Sequence, residues 1–205
     1  NCKISKEYPR LTRSEQLAEL VGVILGDGCI TREQIRITLN SIKDLDYSRY
    51  LLTLIGSCIN CTPSIRKRQN ANAIDITMTG LRLVKRFIDI GLKVGNKVKQ
   101  QVSVPDWIQK NKRYSICCLR GLVDTDGGVF VHRYKVNNVR YSYKKICFTN
   151  KSQPLRDFAY NVLQEVGLDP KQYSDRRVWL YNSHQVERYL DDIGSSNSRL
   201  LSVHR

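Results

Sequence analysis

Two Asp-Gly pairs hold the residues best suited to chemistry in this sequence. Asp27-Gly28 and Asp126-Gly127 close the runs Leu20-Val-Gly-Val-Ile-Leu-Gly-Asp27-Gly28 and Leu119-Arg-Gly-Leu-Val-Asp-Thr-Asp126-Gly127, which lie 99 residues apart. In each run small residues recur four positions apart, Gly22 with Gly26 and Gly121 with Thr125, so a helix there offers a stripe along which two backbones can approach closely. Two such helices side by side bring Asp27 and Asp126 together at C-terminal ends that are already partly negative. Facing carboxylates need a cation, and hard divalent ions take carboxylate and carbonyl oxygens while keeping positions for water and phosphate. The competing structural reading is that each Asp-Gly merely ends a helix, with glycine in the left-handed cap. Occurrence of the pair twice, at equivalent positions, favours the paired acids. Asp124 stands where the first run has Leu25 and reads as helix-end charge.

The chain carries 34 Lys and Arg against 19 Asp and Glu in 205 residues, a formal charge of +15, so its expected partner is a polyanion, nucleic acid first. A size of 205 residues permits a real core and excludes a tiny disulfide-stapled scaffold. No apolar run approaches the ~20 residues of a membrane span, and no signal-peptide apolar region opens the chain. Membrane association is not expected. Seven cysteines without framework spacing point to a reduced, intracellular compartment, as small buried hydrophobes; Cys58-x-x-Cys61 lacks histidines or a second pair at zinc-ligand spacing. Cys2, His132, His184 and His204 are all remote from it in sequence.

The positioning elements are themselves duplicated. Ile37-Thr-Leu-Asn40-Ser41 echoes Phe148-Thr-Asn150-Lys-Ser152, Asp46-Tyr47 precedes Gly56 as Asp157-Phe158 precedes Gly167, and Val84-Lys-Arg-Phe87 matches Val186-Glu-Arg-Tyr189. Charge is shared evenly, +8 over residues 1–110 (18 basic, 10 acidic) and +7 over 111–205 (16 and 9). Thr12-x-x-Glu15 has capping-box spacing before a helix at about 13–26; strands follow at 34–39, 64–68 and 73–78, with helices at 45–55 and 81–90. The second half repeats the pattern with helices at 114–125, 155–166 and 186–190 and strands at 129–134, 140–149 and 176–181. Residues 95–112 form a connector with one helical turn. The expectation is an α+β protein of two units, 1–100 and 101–205, packed as one body.

Both nine-residue runs resemble the signature of the LAGLIDADG homing endonucleases, in the single-chain form with two copies. Leu25 and Gly26 replace the motif's Asp and Ala in the first copy, and Arg120 and Thr125 replace its alanines in the second; the eighth position is acidic in both. The resemblance implies a pseudo-twofold pair of αββαββα units with the signature helices at the interface and antiparallel sheets forming a DNA-binding saddle. It further implies a monomeric, site-specific endonuclease that cuts both strands of double-stranded DNA and leaves staggered ends. Asp27 and Asp126, with Gly26 and Thr125 in the ligand set, would bind Mg²⁺ or Mn²⁺, and Ca²⁺ would be a non-catalytic substitute.

By the same resemblance Asn40 and Asn150 match the family's water-organising amide, although as strand-end residues they also suit turns. Lys97 matches its basic residue, and either Ser198 or Arg199 is the second counterpart, Arg199 being chosen on charge. Strand alternation puts Gln34, Arg36 and Thr38, with Arg32 beside them, on one face, and Arg66, Arg68, Asp75 and Thr77 on another hairpin, where they suit base edges. In the second unit Arg133 or His132, with Tyr134, Lys145, Arg176 and Tyr181, takes that part. The alternative reading is a nucleic-acid binder on the same scaffold, an intron RNA maturase or a non-cleaving regulator. Intein splicing is not expected of a chain running from Asn1-Cys2 to Val203-His204-Arg205, which has no room for a flanking splicing domain, and a longer parent protein stays open.

Overall fold

The computed structural model describes residues 10–59, 61–173 and 176–201; Asn1, Cys2, Val203, His204 and Arg205 lie outside that range. Helix α1 (Glu15–Gly26) leads through β1 (Gly28–Ile30) and β2 (Gln34–Asn40) to α2 (Leu45–Cys58), β3 (Ser64–Lys67), β4 (Ala73–Thr79) and α3 (Leu81–Asp89). A connector with the short α4 (Asp106–Gln109) reaches α5 (Lys112–Asp126), which restarts the order. It continues through β5 (Gly127–Val136), β6 (Val139–Thr149), α6 (Gln153–Glu165), β7 (Lys171–Tyr173), β8 (Arg177–Leu180), α7 (Ser183–Asp192) and α8 (Ser198–Leu201). Among the described residues no helix is long and apolar enough to cross a membrane.

Each half builds one antiparallel four-stranded sheet, ordered β1-β2-β4-β3 and β5-β6-β8-β7. The register stacks apolar residues on one face, Ile35 opposite Met78 and Ile37 opposite Ile76 in the first sheet, Ile146 opposite Leu180 and Phe148 opposite Val178 in the second. All eight are buried. A period-two pattern leaves the alternate residues on the opposite face of each sheet.

The start of α1 differs from the capping-box expectation. Ser14, in extended conformation, accepts a hydrogen bond from the Leu17 N–H at 3.1 Å, so the helix begins at Glu15 and Thr12 has no part in the cap. At the head of α5 the Asn111 side chain accepts from Tyr114 N–H at 3.2 Å. Strand β5 is longer than expected because Asn137 and Asn138 both adopt positive φ, 48° and 65°, in a two-residue turn between the paired Val136 and Val139. That turn geometry matches strand twist and lets the hairpin run on. The three-residue β1 and β7 are too short to show a period.

Helices α1 and α5 pack against each other at the centre, and glycines set their separation. A Cβ on Gly22 would lie 2.2 Å from the Cys118 carbonyl oxygen, and one on Gly121 would lie 2.3 Å from that of Glu19. Only a missing side chain permits such an approach. Around this seam Leu17, Leu20, Ile24, Leu119 and Leu122 are almost wholly buried. Of the cysteines, Cys117, Cys118 and Cys147 are buried and Cys58 and Cys61 half-buried, but Cys29 is exposed, contrary to its reading as a core residue. It lies in the short strand β1, between the buried Gly28 and Ile30.

Candidate active site and nucleic-acid interface

The close seam carries both helix ends to one place. Asp27 caps α1, its N–H reaching Val23 and Ile24 carbonyls, and Asp126 is the last residue of α5. Each following glycine opens a strand. A Cβ on Gly28 would fall 2.4 Å from Ile24 O, and one on Gly127 would fall 2.4 Å from Val123 O. Neither glycine has positive φ, Gly127 being extended at φ −104°, ψ 173°. The left-handed cap reading is therefore wrong at both sites: glycine is needed because the strand leaves folded tightly over the last helical turn.

Asp126 Oδ2 lies 3.5 Å from the position of a Cβ on Gly26, the residue next to Asp27. Burial, then repulsion by Asp126, pushes the Asp27 carboxyl up to about 6, with Lys97 opposing. Burial also raises Asp126 above the usual carboxylate range, against the Asn150 hydrogen bond and the Lys97 charge. Two carboxylates held in this way form a site that a cation would relieve. Among the described residues no group of three or more His, Cys, Asp and Glu could hold a metal ion. An oxygen-seeking divalent ion would take only the two carboxylates and helix-end carbonyls from the protein, leaving its other positions to water and phosphate, as hard cations do.

Lys97 Nζ already supplies one positive charge there. It donates to the carbonyls of Leu25 at 2.8 Å, Ile24 at 3.3 Å and, more closely, Gly26, at the negative end of α1. The Gly26 carbonyl, expected among the metal ligands, is thus occupied by an ammonium. Thr125 turns its hydroxyl back into α5, donating to Gly121 O at 2.9 Å and Leu122 O at 3.0 Å. A cleft of about 300 Å³ is lined by Gly26, Lys97, Asp126, Asn150, Lys151 and neighbouring residues.

The two asparagines are not equivalent. Asn150 Nδ2 donates to Asp126 Oδ2 at 2.7 Å, whereas Asn40 accepts at Oδ1 from the N–H groups of Ile42 and Lys43, closing a turn. Arg199 lies at the end of α5, as Lys97 lies at the end of α1. Its Nη2 donates to Asp124 O at 3.4 Å, and Nε pairs with Asp44 Oδ1 at 3.0 Å.

Asp124 corrects the reading of it as helix-end charge. It is 1% exposed and accepts from Ser195 Oγ at 2.5 Å and Ser196 N–H at 2.8 Å, anchoring the loop that carries Asn197 and Arg199. Burial raises its carboxyl to about 7. Beside it the buried Glu19 pairs with Arg120 and accepts from Tyr50 and Ser196. Sequence reasoning missed this network; its signal was the two polar departures, Arg120 and Asp124, inside an apolar motif.

On the first sheet, Gln34, Arg36, Thr38 and Thr77 are half-buried and Arg32 and Arg66 exposed. Asp75 departs from the expectation that it reads a partner. Its buried carboxylate accepts from Arg68 Nε and Nη2, both at 2.9 Å, and from Thr38 Oγ1 at 2.7 Å. These bonds hold its carboxyl below the usual range, and its role is to orient Arg68. Arg36, Arg66, Arg68, Gln69 and Asn70 surround it in one depression.

On the second sheet the choice between His132 and Arg133 is decided by alternation. His132, Tyr134, Lys145 and Tyr181 share the outward face, shown by ring contacts of His132 with Tyr134 and Tyr143 and by Lys145 lying 4.9 Å from both the Tyr143 and Tyr181 rings. Arg133, paired with Ser142, projects from the opposite face. Arg176 precedes β8 at φ 69°, its carbonyl accepting from Asn150 N–H, so it is a turn residue where a strand residue was expected. Phe130, Tyr141, Tyr143, Arg177 and Trp179 join the outward face unforeseen. The alternating aromatics of both hairpin strands were the signal.

Residues 115–194 match the family model of the LAGLIDADG-like domain, so the second half contains such a domain. The chain resembles the meganuclease I-SmaMI bound to uncleavable DNA, with 14% identity, a TM-score of 0.61 and coverage of 93% of this chain and 89% of that one. It also resembles mesophilic variants of the homing endonuclease I-DmoI (17%, 0.54, 89% and 96%) and I-LtrWI bound to target DNA (11%, 0.61, 93% and 87%). At such identities the likeness is one of fold: this chain has the fold of the single-chain LAGLIDADG homing endonucleases. No curated protein matches it in sequence.

Proposed function

We propose that this chain is a site-specific endonuclease that binds double-stranded DNA as a monomer and hydrolyses both strands in a metal-dependent reaction, leaving staggered ends. The observation that carries the reading is the convergence of Asp27 and Asp126 at the ends of two glycine-seamed helices, with Lys97 and Asn150 beside them. A net charge of +15 supports a polyanionic substrate, and the DNA-bound states of I-SmaMI and I-LtrWI support a duplex.

Asp27 and Asp126 would hold Mg²⁺ or Mn²⁺, and Ca²⁺ would permit binding without cutting. Such an ion polarises a phosphate and lowers the pKa of bound water. Asn150 fixes the orientation of Asp126 through its amide, and its placement suits ordering water beside that acid. Lys97 keeps positive charge near phosphates that gain charge in the transition state. Arg199 adds charge at the end of α5 through its place between Asp44 and Asp124 O. The thiols suit a reduced, intracellular compartment.

The test is selection of cleaved sites from a randomised duplex library with Mg²⁺, followed by cutting of a plasmid bearing the selected site. Linear product is expected, and Asp27→Asn or Asp126→Asn should abolish it while retaining binding in Ca²⁺. A protein that cuts no library member but binds folded intron RNA would replace this reading with the maturase one.

A further inference from the structure

We propose that the two sheets read chemically different half-sites, the C-terminal sheet recognising thymine through its 5-methyl group. This rests on the proposed binding of duplex DNA and adds which residues decide specificity.

The outward faces differ in kind. Strands β1 to β4 contain no aromatic residue, and their outward cluster of Arg36, Arg66 and Arg68 with Gln69 and Asn70 is suited to guanine and adenine edges. Along β5 and β6, by contrast, Phe130, His132 and Tyr134 stand opposite Lys145, Tyr143 and Tyr141. Trp179 of β8 and Tyr181 just after it extend the aromatic row.

How these rings pack decides what they can touch. Tyr134 and Tyr141 stack at 5.2 Å with 16° between planes, and Trp179 and Tyr181 at 5.5 Å with 19°. Each ring covers one face of its neighbour, and the bases of a duplex are already stacked on one another, so what the remaining ring surface can meet is base edges. Cations of this face are engaged as well: Lys145 lies between Tyr143 and Tyr181, the Arg177 guanidinium is 5.9 Å from the Trp179 ring centre, and Lys171, opposite Trp179, pairs with Asp169 at 2.8 Å. Arg133, Lys135 and Arg140 project from the other side of the hairpin. Against a major groove, an apolar carbon edge is matched by the thymine methyl, the one apolar group a base pair offers there.

The experiment selects a bound sequence from a randomised duplex library in Ca²⁺, then replaces thymidine by deoxyuridine in one half at a time, which removes only the methyl. Binding should weaken about fourfold per contacted methyl in the half under the C-terminal sheet, the fold-change equivalent to ~0.8 kcal/mol for one buried carbon group. The other half should change by less than about twofold. In Tyr143→Ala the deoxyuridine penalty at the contacted position should vanish. Equal sensitivity in both halves, none in either, a selected half lacking thymine there, or a penalty unchanged in Tyr143→Ala would each overturn the proposal. If no sequence is enriched at all, the DNA-binding reading itself fails.

Discussion

The amide of Asn150 donates to Asp126 Oδ2 at 2.7 Å, while Asn40, at the matching place in the first half, spends its side-chain oxygen on its own turn. The two halves thus share a backbone plan but support their acids differently. Asn150→Ala should lower the cleavage rate about 10- to 100-fold, the range for loss of an outer partner of a metal-site ligand, and Asn40→Ala should lower it less. Single-turnover cleavage of the selected site measures both; equal losses would show that the asymmetry has no functional weight.

The raised acids make stability depend on pH in a stated direction. Asp27 binds a proton more readily folded, at about 6, than unfolded at 3.8, so its ionisation in the native state costs stability. In metal-free buffer with EDTA, stability from this group should rise as pH falls from about 7 towards 4, and Asp27→Asn should be more stable than wild type at pH 7 by on the order of 1–2 kcal/mol. Thermal melts at pH 7 and 5 measure it. A variant no more stable at pH 7 would contradict the strain assigned to the pair.

Gly22→Ala should be severely destabilising, by about 3 kcal/mol or more, because its methyl would meet the Cys118 carbonyl at 2.2 Å, and backbone cannot yield as a flexible side chain can. Gly56→Ala is the control, with nothing within 4 Å of its added carbon and a helical position that favours alanine. Urea unfolding of the two variants should therefore shift in opposite directions.

Replacing Asp124 by the residue of the first motif, Asp124→Leu, should cost about 2–4 kcal/mol, since the Ser196 N–H and Ser195 hydroxyl would lose a buried acceptor. Hydrogen exchange at Ser196 and Asn197 should quicken relative to α1. Unchanged protection there would mean that the loop is held by other contacts.

Binding affinity should fall steeply with salt, because each neutralised phosphate releases counterions. Titration of the selected duplex between about 50 and 200 mM salt tests this; a flat response would contradict the role assigned to the +15 charge.

What the sequence determined by itself was whatever depends on local order. The helix of each motif with its small-residue stripe, the hairpins and the two acids follow from spacing within about ten residues, because helix and strand periods are local properties, and the twofold repeat follows from comparing those local runs 99 residues apart. Tertiary structure decided the rest. A shift of one residue reverses a strand's face, so only the register could place His132 on the outward face and Arg133 on the opposite one. The binding of Asp124 by Ser195 and Ser196, the capture of α1 carbonyls by Lys97, and the difference between Asn40 and Asn150 all join groups brought together by folding. Hydrogen bonds and buried charges answer to distance in space, and for these side chains sequence separation carries no measure of it.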